Sequence, residues 1–188
     1  MKRNVDLEQT PPLPYQGLND WMRSVVTVFL PFLFILTFMG QTRAVEGVSM
    51  EPTLVAGEQM IIRSILYTPA RGDVIILARH DLEDGAALVK RVIALAGDVV
   101  DIDTGTGTVY VNGLALDEPY TSGPTTFAGN ITYPYTVPPG RIFVIGDNRG
   151  NSLDSRSSRL GSVDEREIIG QVVAVILPLN RARLVGSS

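Results

Sequence analysis

The sequence predicts a mainly β protein, an antiparallel β-sheet domain tethered by one N-terminal transmembrane helix. Three observations carry this. Between residues 21 and 42 only Arg23 is charged, and residues 25–40 read V-V-T-V-F-L-P-F-L-F-I-L-T-F-M-G. Beyond that stretch, short runs rich in Val and Ile recur, separated by Gly, Asp, Asn and Pro, which is the texture of strands and turns. The length of 188 residues fits one domain with an appendage, and no internal repeat divides it.

Taken in order, residues 1–20 are polar, carry Pro11, Pro12 and Pro14, and read as a tail. Residues 21–42 would reach about 33 Å as a helix, against ~30 Å for the hydrocarbon core of a bilayer. Arg23 can snorkel to the headgroups, and Pro31 is tolerated where freed backbone groups find other partners. A cleaved signal peptide would have a shorter apolar run and a small-x-small site after it, but Q-T-R-A-V-E-G follows Gly40. A buried core helix is the other reading of the same residues. Lys2, Arg3 and Arg23 precede the span and Arg43 alone follows closely, which favours a cytoplasmic N-terminus and an extracytoplasmic domain over residues 43–188.

In that domain the strands expected are 59–66, 73–78, 87–96, 99–103, 109–111, 131–137, 141–145 and 168–177. The stretch D-T-G-T-G-T-V-Y-V-N-G has turn signals on both sides of a strand, as in a hairpin. Its G-x-G lacks a following helix and is a turn, not a dinucleotide site.

Composition narrows the chemistry. The net charge is −4, which argues against a nucleic-acid partner. There is no Cys, so disulfides, thiol nucleophiles and thiolate metal sites are out. A single His, His80, excludes multi-histidine metal sites, and its setting A-R-H-D-L-E-D-G reads as a solvated loop, not a general base. No Ser lies three residues before a Lys, so the serine–x–x–lysine signature is absent.

Of 16 basic residues 14 are Arg, and the one internal Lys is Lys90. Compositional drift is one reason for such a Lys; a need for an amine that can lose its proton, as Arg cannot, is the other. It sits in A-L-V-K-R-V-I-A-L, a buried-strand pattern in which Leu88, Lys90 and Val92 share a face. Apolar neighbours penalise the charged amine and lower its pKa. A Lys whose stem lies in the core and whose head reaches solvent fits the same strand. Ser49, in V-S-M-E-P-T-L before a turn at Pro52, is a candidate nucleophile. A dense polar loop, G-D-N-R-G-N-S-L-D-S-R, starts at Gly146 directly after the apolar strand R-I-F-V-I.

S-M-E-P-T-L from Ser49 resembles the nucleophile box of the bacterial type I signal peptidases. R-G-D-V-I from Arg71 is similar to their second box, K-R-V-I from Lys90 to Gly97 and Asp98 to their lysine box, and Gly146 to Arg156 to their last box. The four boxes come in family order, behind an apolar stretch, and cover residues 21–177.

The resemblance implies a Ser-Lys serine endopeptidase that needs no cofactor and no metal. Ser49 would be the nucleophile and Lys90 the base. Ser152 would hydrogen-bond and orient the Lys90 amine, Asp154 and Arg156 would brace that loop as an ion pair, and Asp147 and Arg91 would support them. The Ser49 backbone N–H would donate to the oxyanion. The implied partners are preprotein signal peptides at the surface of a lipid bilayer, with Gly47, Val48, Leu88 and Val89 forming the substrate edge. The chain departs from the pattern at Gly47, where some members have a Ser as second oxyanion donor, and at Ala94 and Ala96, where Gly and Pro are common. Two other readings are a self-cleaving Ser-Lys protease of the repressor type and a non-catalytic membrane-tethered β module.

Overall fold

Residues 16–39, 41–78 and 87–186 are described in the structure, a computed structural model. They fall into two units divided between Phe38 and Met39. In the first, helix α1 (Gln16–Met39) carries Pro31 within it. It begins earlier than the apolar stretch, so residues 16–20 are helical where a tail was expected. It also ends short of residue 42, because strand β1 (Gln41–Ala44) satisfies its backbone groups against β2 (Gln59–Arg63), Gln41 opposite Ile62. The expectations for residues 1–15 and for His80 lie outside the described residues.

The second unit is built from antiparallel strands. Beyond β1 and β2 they are β3 (Val74–Ala78), β4 (Ala87–Ala94), β5 (Val99–Asp103), β6 (Thr108–Val111), β7 (Leu114–Ala115), β8 (Tyr135–Thr136), β9 (Arg141–Ile145), β10 (Val163–Asp164), β11 (Ile168–Leu177) and β12 (Arg183–Leu184). Among the described residues, one sheet has the order β1-β2-β11-β3-β4-β9-β10 with β12 on β11, and a smaller one the order β7-β6-β5-β8.

The hydrophobic runs end where backbone chemistry ends them. Strand β2 stops short of Leu66, which has φ 52°, a turn conformation. The strand expected over residues 131–137 shrinks to Tyr135–Thr136, since Pro134 has no N–H to give a ladder. Asn112 and Gly113 both have positive φ, the conformation of a tight hairpin turn, and they join β6 to the unforeseen β7.

Three apolar clusters hold the domain. Met60, Ile62, Val74, Ile76, Val172 and Val175 pack on one face of the large sheet with Met50 and Leu54, which belong to the turn after Ser49. Burying two such side chains contributes about 1.5–3 kcal/mol each and seats that turn on the sheet. Ile75, Leu77, Val92, Ile142 and Val144 form a second cluster, against which Leu88 packs. The third joins the two sheets, setting Ile93, Phe143 and Ile145 against Val100, Ile102, Val109 and Val111.

Candidate active site

Strand β4 presents Lys90 and Arg91 side by side. Lys90 lies opposite Ile75 of β3, and Arg91 lies opposite both Val74 of β3 and Ile145 of β9. The pairing with β9 begins at Arg91, so among the described residues Leu88, Val89 and Lys90 are paired on the β3 side only. Strand β9 ends at Ile145, and the loop that follows from Gly146 holds the Ser49 turn.

That turn is clamped to the 146–149 loop. Asn148 N–H donates to the Ser49 carbonyl at 3.0 Å, and Asn148 Nδ2 donates to the Val48 carbonyl at 3.1 Å. Within it, Glu51 N–H donates to Val48 and Leu54 N–H to Met50. Gly146 permits the close approach: a Cβ there would stand 2.5 Å from the Ser49 carbonyl oxygen and 2.2 Å from Ser152 Oγ.

The outcome is a contact across 41 residues of sequence, with Lys90 Nζ 2.7 Å from Ser49 Oγ. Nζ also donates to the Val89 carbonyl at 2.8 Å. Lys90 is only 2% exposed, and burial pulls its pKa from 10.5 to about 8, an effect partly offset by Asp154 and Asp147. The alternative of a solvated lysine head is thereby excluded. At pH 7 a pKa of 10.5 leaves about 0.03% of the amine neutral, whereas a value near 8 leaves about a tenth.

Buried ion pairs surround these two groups. Arg91 donates from Nε and Nη2 to both oxygens of Asp147, at 2.8 and 2.7 Å, and from Nη1 to the Gly72 carbonyl. Its guanidinium carbon lies 3.8 Å from the Tyr120 ring centroid. Thr53 Oγ1 donates to Asp147 Oδ2 at 2.5 Å, which links the nucleophile turn to this pair. Asp154 binds Arg156 through both oxygens at 2.8 Å and accepts the Gly146 N–H at 3.1 Å. Pairs with this geometry set register and rigidity, since the Coulombic gain is largely offset by desolvation.

Ser152 differs from expectation. Its Oγ is buried without a hydrogen-bond partner and faces Gly146, while Nζ directs itself to Ser49 and Val89. Gly47 and Val48 are exposed and Leu88 and Val89 are half-buried. Gly47 has φ 77°, with open space where a side chain would stand. Among the described residues no group of three His, Cys, Asp or Glu could hold a metal ion.

A sequence profile of the family described as signal peptidase, peptidase S26, matches residues 18–177. The chain belongs to the signal peptidase family. A signal peptidase I from Bacillus licheniformis is 34% identical over 177 residues, covering 89% of this chain and 92% of that protein. Signal peptidase I T of Bacillus subtilis (strain 168) is 33% identical over 192 residues, 97% of each. A solved signal peptidase I from Enterococcus faecalis V583 superposes with a TM-score of 0.47 at 31% identity, covering 56% of this chain and 97% of that one. As a member of the signal peptidase family the chain is a serine peptidase, a hydrolase of peptide bonds.

Sequence reasoning missed several groups that brace this candidate site. Thr53 lies inside the quoted nucleophile box, and a turn hydroxyl there was a legible signal. Tyr120, the Glu118–Arg149 pair and the Glu58–Arg183 pair had none, because each is separated from its partner in sequence and joined only by the fold.

Proposed function

We propose that this protein removes N-terminal signal peptides from exported preproteins through an acyl-enzyme, with Ser49 as nucleophile and Lys90 as general base. The observation that carries the proposal is the 2.7 Å approach of Ser49 Oγ to a buried Lys90 whose pKa is drawn down to about 8. A lysine in that state accepts a proton near neutrality, as a general base must.

In the first step the neutral Nζ takes the Ser49 hydroxyl proton as Oγ bonds to the scissile carbonyl carbon. The Ser49 backbone N–H donates to the resulting oxyanion. Nζ, now an ammonium, returns the proton to the leaving amine as the C–N bond breaks, which leaves an ester on Ser49. A water then adds to that ester, Nζ takes its proton, and collapse releases the carboxylate product and the Ser49 hydroxyl. The Val89 carbonyl accepts from Nζ and fixes the amine's direction, while the Ser152 hydroxyl stands beside Gly146 without a hydrogen-bond partner. Asp154 with Arg156, and Asp147 with Arg91, hold the two loops that carry these groups.

The substrate is an extended peptide that adds to the free edge of Leu88 and Val89, with Gly47 and Val48 on its other side. This mode supplies backbone hydrogen bonds and places alternate side chains in shallow pockets. Residues 21–42 tether the domain to the bilayer with the N-terminus cytoplasmic and residues 43–188 extracytoplasmic. Among the described residues no helix is long and apolar enough to cross a membrane. What supports the tether is the sequence stretch itself and the exposure of every side chain from Trp21 to Leu33, large apolar ones included, which water disfavours.

The test is preprotein cleavage by the full chain in detergent, comparing wild type with Ser49→Ala and Lys90→Arg. Both variants are expected to lose cleavage while keeping the wild-type circular dichroism. Lys90→Arg keeps the charge but cannot act as a base, so near-normal cleavage by that variant would overturn the dyad.

A further inference from the structure

Arg183 lies beyond residue 177, where the match to the family ends, and belongs to none of the four boxes. Nevertheless its guanidinium is committed to the turn that carries the nucleophile. Nη2 donates to the Thr53 carbonyl at 2.5 Å and to Glu58 Oε2 at 2.8 Å, while Nη1 donates to Glu58 Oε1 at 2.9 Å and to the Arg181 carbonyl at 2.8 Å. Glu58 is 2% exposed, also accepts the Val55 N–H at 3.0 Å, and is held below its ordinary pKa by the bonds from Arg183. Its backbone closes the same turn, since Val45 N–H donates to the Glu58 carbonyl and Gly57 N–H to the Val45 carbonyl. Arg183 is itself anchored, lying opposite Val175 of β11, which in turn pairs with Met60 of β2.

The turn is thus gripped from two sides. On one, Asp147 takes the Thr53 hydroxyl and Asn148 the Ser49 carbonyl. On the other, Arg183 takes the Thr53 carbonyl and Glu58. A single residue, Thr53, is held by its hydroxyl toward the last box and by its carbonyl toward the C-terminal strand.

We infer that Arg183 is a positioning residue for Ser49: by bridging Glu58 and the Thr53 carbonyl it fixes the 49–58 turn so that Oγ stays within reach of Lys90 Nζ. The inference rests on the Ser49–Lys90 reading above. A group that acts only by position affects the chemical step far more than substrate binding, and a displacement of about 1 Å at a reacting atom costs about 10²-fold.

The experiment measures kcat and KM for a preprotein substrate with full-length Arg183→Ala, Arg183→Lys and Glu58→Gln in detergent, well below each variant's melting temperature. Arg166→Ala is the control, since it removes an exposed arginine from a half-buried partner, Asp164, away from the turn. The expected result is a fall in kcat of about 10- to 100-fold for Arg183→Ala with KM changed less than about threefold. Arg183→Lys, which can still meet Glu58 but lacks the fork that also reaches Thr53, is expected to fall between. The midpoint of the acid limb is expected to stay at the wild-type pH, because Arg183 is not among the charges acting on Lys90. If Arg183→Ala does not fold, Arg183→Lys and Glu58→Gln decide the matter by the same split. Wild-type kcat in the folded variants would overturn the inference, as would a shifted acid limb with an unchanged plateau. Ser49→Ala, measured alongside, separates the two failures: its retained activity overturns the dyad and this role together, and its inactivity beside a normal Arg183→Ala overturns this role alone.

Discussion

Lys90→Met is expected to abolish cleavage and yet to remove a pH-dependent burden on the fold. The burial that makes Lys90 useful is a cost to stability, because the native state resists protonation of an amine that the unfolded chain protonates freely. The drop from 10.5 to about 8 corresponds to roughly 3 kcal/mol at ~1.36 kcal/mol per pKa unit. Above pH 10.5 the amine is neutral in both states and the burden is absent. Between pH 10.5 and 8 the unfolded state binds the proton and the native state does not, so native stability falls as pH falls. Below pH 8 both states are protonated and the burden is constant. Methionine fills the same volume and does not titrate. The unfolding free energy of wild type minus that of Lys90→Met is therefore expected to rise by roughly 3 kcal/mol from pH 7 to 10.5. Urea titrations followed by far-ultraviolet circular dichroism at half-unit pH intervals measure this difference, and groups common to both proteins cancel. A flat difference across that range would refute the reasoning.

Three further outcomes follow from the same geometry. The pH profile of kcat/KM in the wild type is expected to show an acid limb with its midpoint near 8, the value to which burial draws Lys90; activity confined to pH 10 and above would contradict it. Asp147→Asn leaves the Arg91 guanidinium buried without its counter-charge and releases Thr53, so a loss of about 3–5 kcal/mol in stability is expected by denaturant titration. Gly146→Ala drives a methyl to 2.5 Å from the Ser49 carbonyl and 2.2 Å from Ser152 Oγ, and separation of the two loops is expected to cut kcat about 100-fold; full activity would show that the loops do not need this contact.

Much of the fold is written in local pattern. The alternating and continuous Val and Ile runs at 74–78, 87–94, 99–103, 141–145 and 168–177 are strands because those side chains suit a pleated, buried surface. The short strands β1, β7, β10 and β12 had no such signal, for they are strands only by virtue of the neighbour that pairs with them. The end of the helix shows the same limit: residues 41 and 42 continue the uncharged stretch in sequence but are claimed by β2 in the fold. Ser152 marks where motif reasoning went beyond geometry, since its hydroxyl stands by Gly146 without the expected bond to Nζ.

By itself the sequence determined which chemistry was available. Without Cys, with one His and with one internal Lys, few nucleophile and base pairs could be built, and four ordered boxes named Ser49 and Lys90 as the pair. Only the tertiary structure decided that this pair meets at 2.7 Å and that the lysine pKa falls to about 8. It also decided which arginine takes which carboxylate, Arg91 with Asp147 and Arg183 with Glu58. The reason is physical: residue identity is local, but desolvation depends on the density of atoms packed around a group. That density comes from sheet register and loop closure between segments 41, 56 and 125 residues apart, distances over which a sequence carries no contact information of its own.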